Sequence, residues 1–122
     1  MKRSRLRPRA EQDLVEIARY YTHAGGKQLG AKLFDAALAS LKPIERMPGM
    51  GSPRLGQLCN VPSLRSWSVE GFPILWFYFE ADDHLDVVRL LGERQDIAAI
   101  FRDAEIPTAS DQEKPHARPA DG

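Results

Sequence analysis

Cysteine is almost missing from this chain: Cys59 is the only one in 122 residues. That excludes an intramolecular disulfide and suits a reducing compartment. Long hydrophobic runs are missing too. No apolar stretch approaches the roughly 18 residues of a membrane-spanning helix, so no membrane partner is expected. The N-terminus is basic, but no apolar segment follows it, and no signal peptide is expected. Histidine is scarce. His23, His84 and His116 stand at no metal-ligand spacing from one another or from Cys59. We therefore expect no metal and no cofactor. There is no G-x-S-x-G elbow, no phosphate-binding loop and no internal repeat; "GMGSP" is glycine-rich but follows no strand. Taken together, these absences lead us to expect a cytoplasmic protein.

Net charge is also lacking, since 17 Lys+Arg balance 17 Asp+Glu. The balance hides an uneven distribution. Residues 1–102 hold 15 cations against 12 carboxylates, and residues 103–122 hold two against five. Five of the cations fall in the first ten residues: Lys2, Arg3, Arg5, Arg7 and Arg9. A mild basic surplus permits an acidic partner without demanding one.

The length suits one domain with a modest core. "RSRLRP" reads as a short strand with Leu6 inward, or as a frayed basic terminus. Pro8 fits the first turn of a helix. Ala10, Leu14, Ile17, Ala18 and Tyr21 then form one helical stripe. Glu11, Asp13 and Glu16 favour the positive end of the helix dipole, and Gly25-Gly26 ends the helix. A second helix is expected from Gln28 to Met47, with Leu33, Phe34, Ala37, Leu38, Leu41 and Ile44 on its apolar face. Pro43 should kink it or shorten its last turn. Residues 47–63 carry Pro48, Gly49, Gly51, Pro53, Gly56 and Pro62 and read as a long loop.

Three strand-like runs follow: Leu64–Val69, Phe72–Glu80 and Leu85–Leu91, joined by short hairpin-like connectors. "FPILWFYFE" is apolar throughout and is expected as the central strand, covered on both faces. Period-two alternation puts Leu85, Val87, Arg89 and Leu91 on one face of the last strand, and Asp86, Val88 and Leu90 on the other. "ERQDIAAIFRDAEI" suggests a short helix with Ile97, Ile100 and Phe101 inward. From Pro107 no large apolar residue remains. The expected division is a folded unit over 1–103 and a disordered tail over 104–122. The fold class is α+β: an N-terminal strand, a helical hairpin packed on one face of a small antiparallel β-meander sheet, and a short C-terminal helix.

Chemistry-bearing residues are few. Cys59 has no neighbouring base in sequence, and the cluster Asp82, Asp83 and Asp86 is ordinary turn chemistry. That leaves the arginines of the strand region. Arg65, Arg89 and Arg94 suit bidentate capture of phosphate or carboxylate, or simply reach solvent and pair with carboxylates such as Glu70, Glu80 or Asp86.

At this point the chain resembles a known group. "LRPRAEQDLVEIARYY" is similar to the opening of RelE/ParE superfamily toxins, with Ala10, Asp13, Leu14 and Ile17 in an A-x-x-D-L-x-x-I pattern. "LKPIERMPGMG" resembles their L-x-x-x-P-x-x-G segment through Leu41, Pro48 and Gly51. "LRSWSVEGFPILWFYFEADDHLDVVRLLGERQD" resembles their last three strands and the ending V-x-R-V-L-H-x-R-x-D. The resemblance spans about residues 3–101. It implies a bacterial type II toxin of the kind linked to plasmid stabilisation, neutralised by a cognate antitoxin, with DNA engaged only through that antitoxin. RelE-like members cut mRNA on the ribosome with basic residues and a late tyrosine. ParE-like members inhibit DNA gyrase. Here the tyrosine's place falls near Ile100-Phe101, the loop holds only Arg54 as a cation, and Gly92 stands where many relatives have histidine. The resemblance is therefore to the ParE-like side: a gyrase inhibitor with no catalytic residues. The alternatives are a ribosome-dependent endoribonuclease using Arg65, Arg89 or Arg94, and a non-toxic antitoxin-binding module. The residues expected to meet a target or antitoxin are Arg65, Arg89, Arg94 and Trp76. The apolar residues that an antitoxin segment would cover are Leu14, Phe34, Leu38 and Trp76.

Overall fold

A computed structural model describes residues 1–104; the expected tail from 105 onward lies outside the described residues. The elements are β1 (Arg3–Leu6), α1 (Pro8–Gly25), α2 (Lys27–Ala39), α3 (Leu41–Arg46), α4 (Arg54–Leu58), β2 (Arg65–Ser68), β3 (Ile74–Glu80), β4 (His84–Gly92) and α5 (Ile97–Ala104). A single 3-10 turn, Pro48–Met50, precedes α4.

The sheet runs β1-β4-β3-β2. The three later strands form the antiparallel meander expected. β1 adds to it in parallel, beside β4. Both outer edges are occupied. The Lys2 and Ser4 amides donate to the Glu45 carbonyl (2.9 Å) and the Glu45 carboxylate (3.1 Å), so α3 covers β1. At the far edge Ser52 and Ser66 exchange two backbone hydrogen bonds of 2.9 Å. Unpaired strand edges invite unwanted association, and these contacts blunt them.

The apolar character of β3 is explained by two cores. Ile74, Trp76 and Tyr78 face α1 to α3, together with Leu14, Leu33, Ala37 and Ile44. Leu75, Phe77 and Phe79 face the other way, where Leu55 and Cys59 near α4 and Ile97 and Phe101 of α5 cover them. The helices thus lie on both faces of the sheet. Phe101 packs edge-on against Phe77, with ring centroids 5.1 Å apart.

Four local outcomes differ from the sequence reading. First, the second helix breaks at Ser40 into α2 and α3. Pro43 has no amide for the Ala39 carbonyl, which weakens the helix there. The two tryptophans then use the break: Trp67 donates to the Ser40 carbonyl at 2.8 Å, and Trp76 to the Ala37 carbonyl at 2.9 Å and Ser40 Oγ at 3.0 Å. Second, the 47–63 segment is not all loop, because α4 lies within it. A Cβ at Gly56 would come within 2.3 Å of the Leu64 carbonyl, so only glycine lets this helix sit so close to β2. Third, β4 carries a bulge. Tyr78 pairs with Val87 and Phe77 with Arg89, which leaves Val88 without an opposite residue. Beyond it the faces swap: Leu90 joins the α1-side core and Leu91 the opposite one. The expected sharing of one face by Leu85, Val87, Arg89 and Leu91 is corrected on this point. Fourth, Asp13 is a buried residue at 4% exposure, beyond its place near a helix dipole.

Candidate functional site

Each expected site residue has a definite place. Trp76 is fully enclosed, with its indole N–H satisfied by α2. Leu14 is enclosed too. Both lie in the core between the helical hairpin and the sheet, so neither offers surface to a partner while the fold is intact. Phe34 (37% exposed) and Leu38 (40%) do remain open on α2. Four residues apart, they stand on one face of that helix.

Arg89 lies within β4, which continues to Gly92. Its guanidinium grips Asp13 with two hydrogen bonds, Nε to Oδ2 at 2.7 Å and Nη2 to Oδ1 at 3.1 Å. The Leu90 amide adds a third bond to Asp13 Oδ2 at 3.0 Å. Arg9 approaches the same carboxylate at 3.4 Å. The bidentate geometry fixes α1 onto β4 beside the bulge. Sequence reasoning missed this role for Asp13. A signal was present: position 13 follows Ala10 by three residues and precedes Leu14, so it lies on the buried stripe.

Arg65 faces inward to the loop. Its Nη1 donates to the Gly51 carbonyl at 2.6 Å and the Gly49 carbonyl at 3.3 Å. Its cross-strand neighbour Tyr78 completes the anchor. The Tyr78 hydroxyl donates to the Pro48 carbonyl at 2.6 Å and accepts from the Gly51 amide at 3.0 Å. Burial pushes the phenol's pKa above its ordinary value, so the group stays neutral and serves both bonds. Tyr78→Phe should therefore cost about 1–3 kcal/mol by stranding a buried amide and carbonyl. Urea unfolding measures this, and a loss below about 0.5 kcal/mol would show that the loop finds other partners.

Arg94 alone of the three arginines is exposed and has no hydrogen-bond or ion-pair partner among the described residues. It stands at the rim of a cleft of about 500 Å³ between the C-terminal half of α1 and the turn after β4. The four candidates thus do not converge. Arg65 holds a loop, Arg89 holds a helix, Trp76 fills the core, and Arg94 borders the cleft.

The remaining chemistry is sparse. Burial raises the pKa of the Cys59 thiol, which disfavours the nucleophilic thiolate. Among the described residues, no three His, Cys, Asp or Glu side chains gather as a metal site. No helix among them is long and apolar enough to cross a membrane.

Comparison with known proteins adds what geometry alone does not supply. A solved chain titled "Chromosomal ParDE TA system from P. aeruginosa" shares the fold, with a TM-score of 0.66 over 75% of this chain and 96% of that one, at 19% identity. No curated protein matches the sequence. The family model described as "ParE toxin of type II toxin-antitoxin system, parDE" matches residues 5–97, from β1 through the Asp13–Arg89 link to the first residue of α5. With that match over most of its length, the chain belongs to the ParE toxin family of type II toxin-antitoxin systems.

Proposed function

We propose that this protein is a cytoplasmic toxin that poisons DNA gyrase and is held inactive by a cognate antitoxin. The family match over residues 5–97 carries the reading. The site geometry supports it. A phosphodiester-cleaving site needs a proton carrier beside its positive charge, and arginine does not give up its proton. Arg65 is bound to loop carbonyls and Arg89 to Asp13, so neither is poised for a transition state. Inhibition by binding needs only surface. The open Phe34–Leu38 face of α2 is the surface on which an amphipathic antitoxin segment lays its apolar side.

The test is gyrase supercoiling in vitro with purified toxin. Supercoiling should fall as toxin is added and recover when the cognate antitoxin is supplied. Unchanged supercoiling, together with ribosome-dependent mRNA cuts on induction, would replace this reading with a nuclease.

A further inference from the structure

The cleft between α1 and the turn after β4 carries an excess of negative charge. Glu16 from α1 and Glu93 from the turn stand in its lining against one cation, Arg94. The ion pairs among the described residues leave all three out. Glu16 accepts only from the neutral side-chain amide of Gln12, at 2.9 Å. Arg94 follows Glu93 in sequence but pairs with neither carboxylate. The lining is thus negative by one formal charge, and both carboxylates lack a cationic partner.

Two tyrosines add an independent preference of the same sign. Tyr20 and Tyr21 line the cleft, with ring planes 89° apart and centroids separated by 5.3 Å. Phe72 steadies Tyr21 in turn, edge-on at 5.2 Å. The face of an aromatic ring attracts a cation placed within about 6 Å of its centroid, and rings set crosswise are the usual enclosure of an alkylated ammonium group. Tyr20 is 67% exposed, so its ring is open to a ligand without any rearrangement.

The remaining walls form a fixed frame with room in it. The Gly92 amide donates to Gln95 Oε1 at 2.7 Å, and the Glu93 amide to the Pro73 carbonyl at 2.9 Å. These bonds hold the backbone of Glu93 against the start of β3. Gly92 leaves a slot beside them. Its φ is outside the left-handed region, and a Cβ there would meet Gln95 at 3.5 Å and the Pro73 carbonyl at 3.9 Å, which are ordinary contacts. Ile17, Pro73 and Ile74 supply apolar surface of the kind that the methylene stem of a long basic side chain covers.

We propose that this cleft binds an alkylguanidinium or alkylammonium group, the head of an arginine or lysine side chain on a protein partner. The stem lies on Ile17 and Pro73 across the slot at Gly92. The head meets the face of Tyr20, and Glu16 and Glu93 accept its hydrogen bonds. A carboxylate ligand would face two like charges for one opposite. A neutral ligand would cover the carboxylates without pairing them. A free polyamine would bring more positive charge than the lining answers, whereas one side chain matches it. Arg94 is the opposing charge, so its removal strengthens the complex. The proposal requires neither gyrase nor the antitoxin to be that partner.

The experiment titrates the full chain with a blocked leucine–arginine–leucine peptide and follows backbone amide resonances. Residues 16–21 and 92–95 should shift. Peptides with citrulline, which keeps the shape without the charge, or with glutamate in the central place should bind at least about 10-fold more weakly. Glu93→Gln and Tyr20→Ala should each lower the affinity about 3- to 10-fold, Tyr20→Phe should keep it, and Arg94→Gln should raise it about 3-fold. All three positions are exposed, so the thermal midpoint of the free protein should not move. Absence of shifts at these residues, equal affinity for the citrulline peptide, or weaker binding by Arg94→Gln would overturn the proposal. So would spermidine binding more tightly than the arginine peptide, which would assign the cleft to a free polyamine. Gyrase activity is not read in this titration, so its failure and the failure of the gyrase reading are separate results.

Discussion

Replacing Asp13 with alanine should destabilise the fold by about 3–5 kcal/mol, the cost of breaking a buried pair by removing one partner. The carboxylate serves both nitrogens of Arg89 and the Leu90 amide at once. Its loss leaves a half-buried guanidinium and a buried N–H without acceptors, next to a bulge that depends on them. Asp13→Asn should fall between, since the amide keeps the shape and one acceptor oxygen but loses the charge. A paired change to apolar residues at 13 and 89 should recover much of the loss, because buried ion pairs of good geometry are often close to neutral against well-packed hydrophobes. Urea unfolding of the three variants checks the ordering. An Asp13→Ala cost under about 1 kcal/mol, the range of an exposed pair, would mean that the link is solvated in practice.

Gly30→Leu should be as damaging for a different reason. A Cβ at position 30 would lie 1.8 Å from Thr22 Oγ1 and 2.9 Å from the Ala18 carbonyl. Thr22 is itself fixed, since its hydroxyl donates to that same carbonyl at 2.9 Å. The crossing of α1 over α2 is set by this contact, so any side chain forces the helices apart. Overpacking of this kind typically costs 1–3 kcal/mol and sometimes more; with backbone in the way, leucine belongs at the upper end, at about 3 kcal/mol. Alanine should cost less, because it adds only the Cβ and no further atoms to the contact, and either residue regains up to about 1 kcal/mol of helix propensity over glycine. Adding Thr22→Ala to Gly30→Ala should recover part of the deficit by removing the nearest atom. Thermal unfolding resolves these steps, as 1 kcal/mol shifts a domain of this size by about 4–8 °C. A Gly30→Leu midpoint equal to wild type would show that the hairpin opens freely.

The hairpin and the meander were legible in the sequence because each repeats a period over many residues. Ala10, Leu14, Ile17, Ala18 and Tyr21 announce α1 unaided. The central place of β3 followed from its unbroken apolar run. What stayed hidden depends on single residues or distant partners. Nothing in "HLDVVRLL" marks Val88 as the extra residue of a bulge, because the apolar pattern continues through it. α4 has five residues, too few for a helical period to emerge. Trp76 looked like an available aromatic until the Ala37 carbonyl and Ser40 Oγ proved to be its partners. Arg89 looked like a free cation because its carboxylate stands 76 positions earlier. Of the expected contact residues only Arg94 keeps an unclaimed charge, and the cleft it borders is formed by three segments that no local pattern connects.

The place of β1 beside β4 has a consequence for synthesis. The first strand of the chain pairs with the last, Leu6 opposite Val87. A ribosome adding about 5–20 residues per second needs roughly 4–16 seconds to travel that distance. Until then α1 has neither Arg89 nor a finished sheet to rest on, and the pocket beneath Tyr20 has no floor. The nascent chain therefore cannot close its sheet, or lock α1 to β4, through most of its own translation.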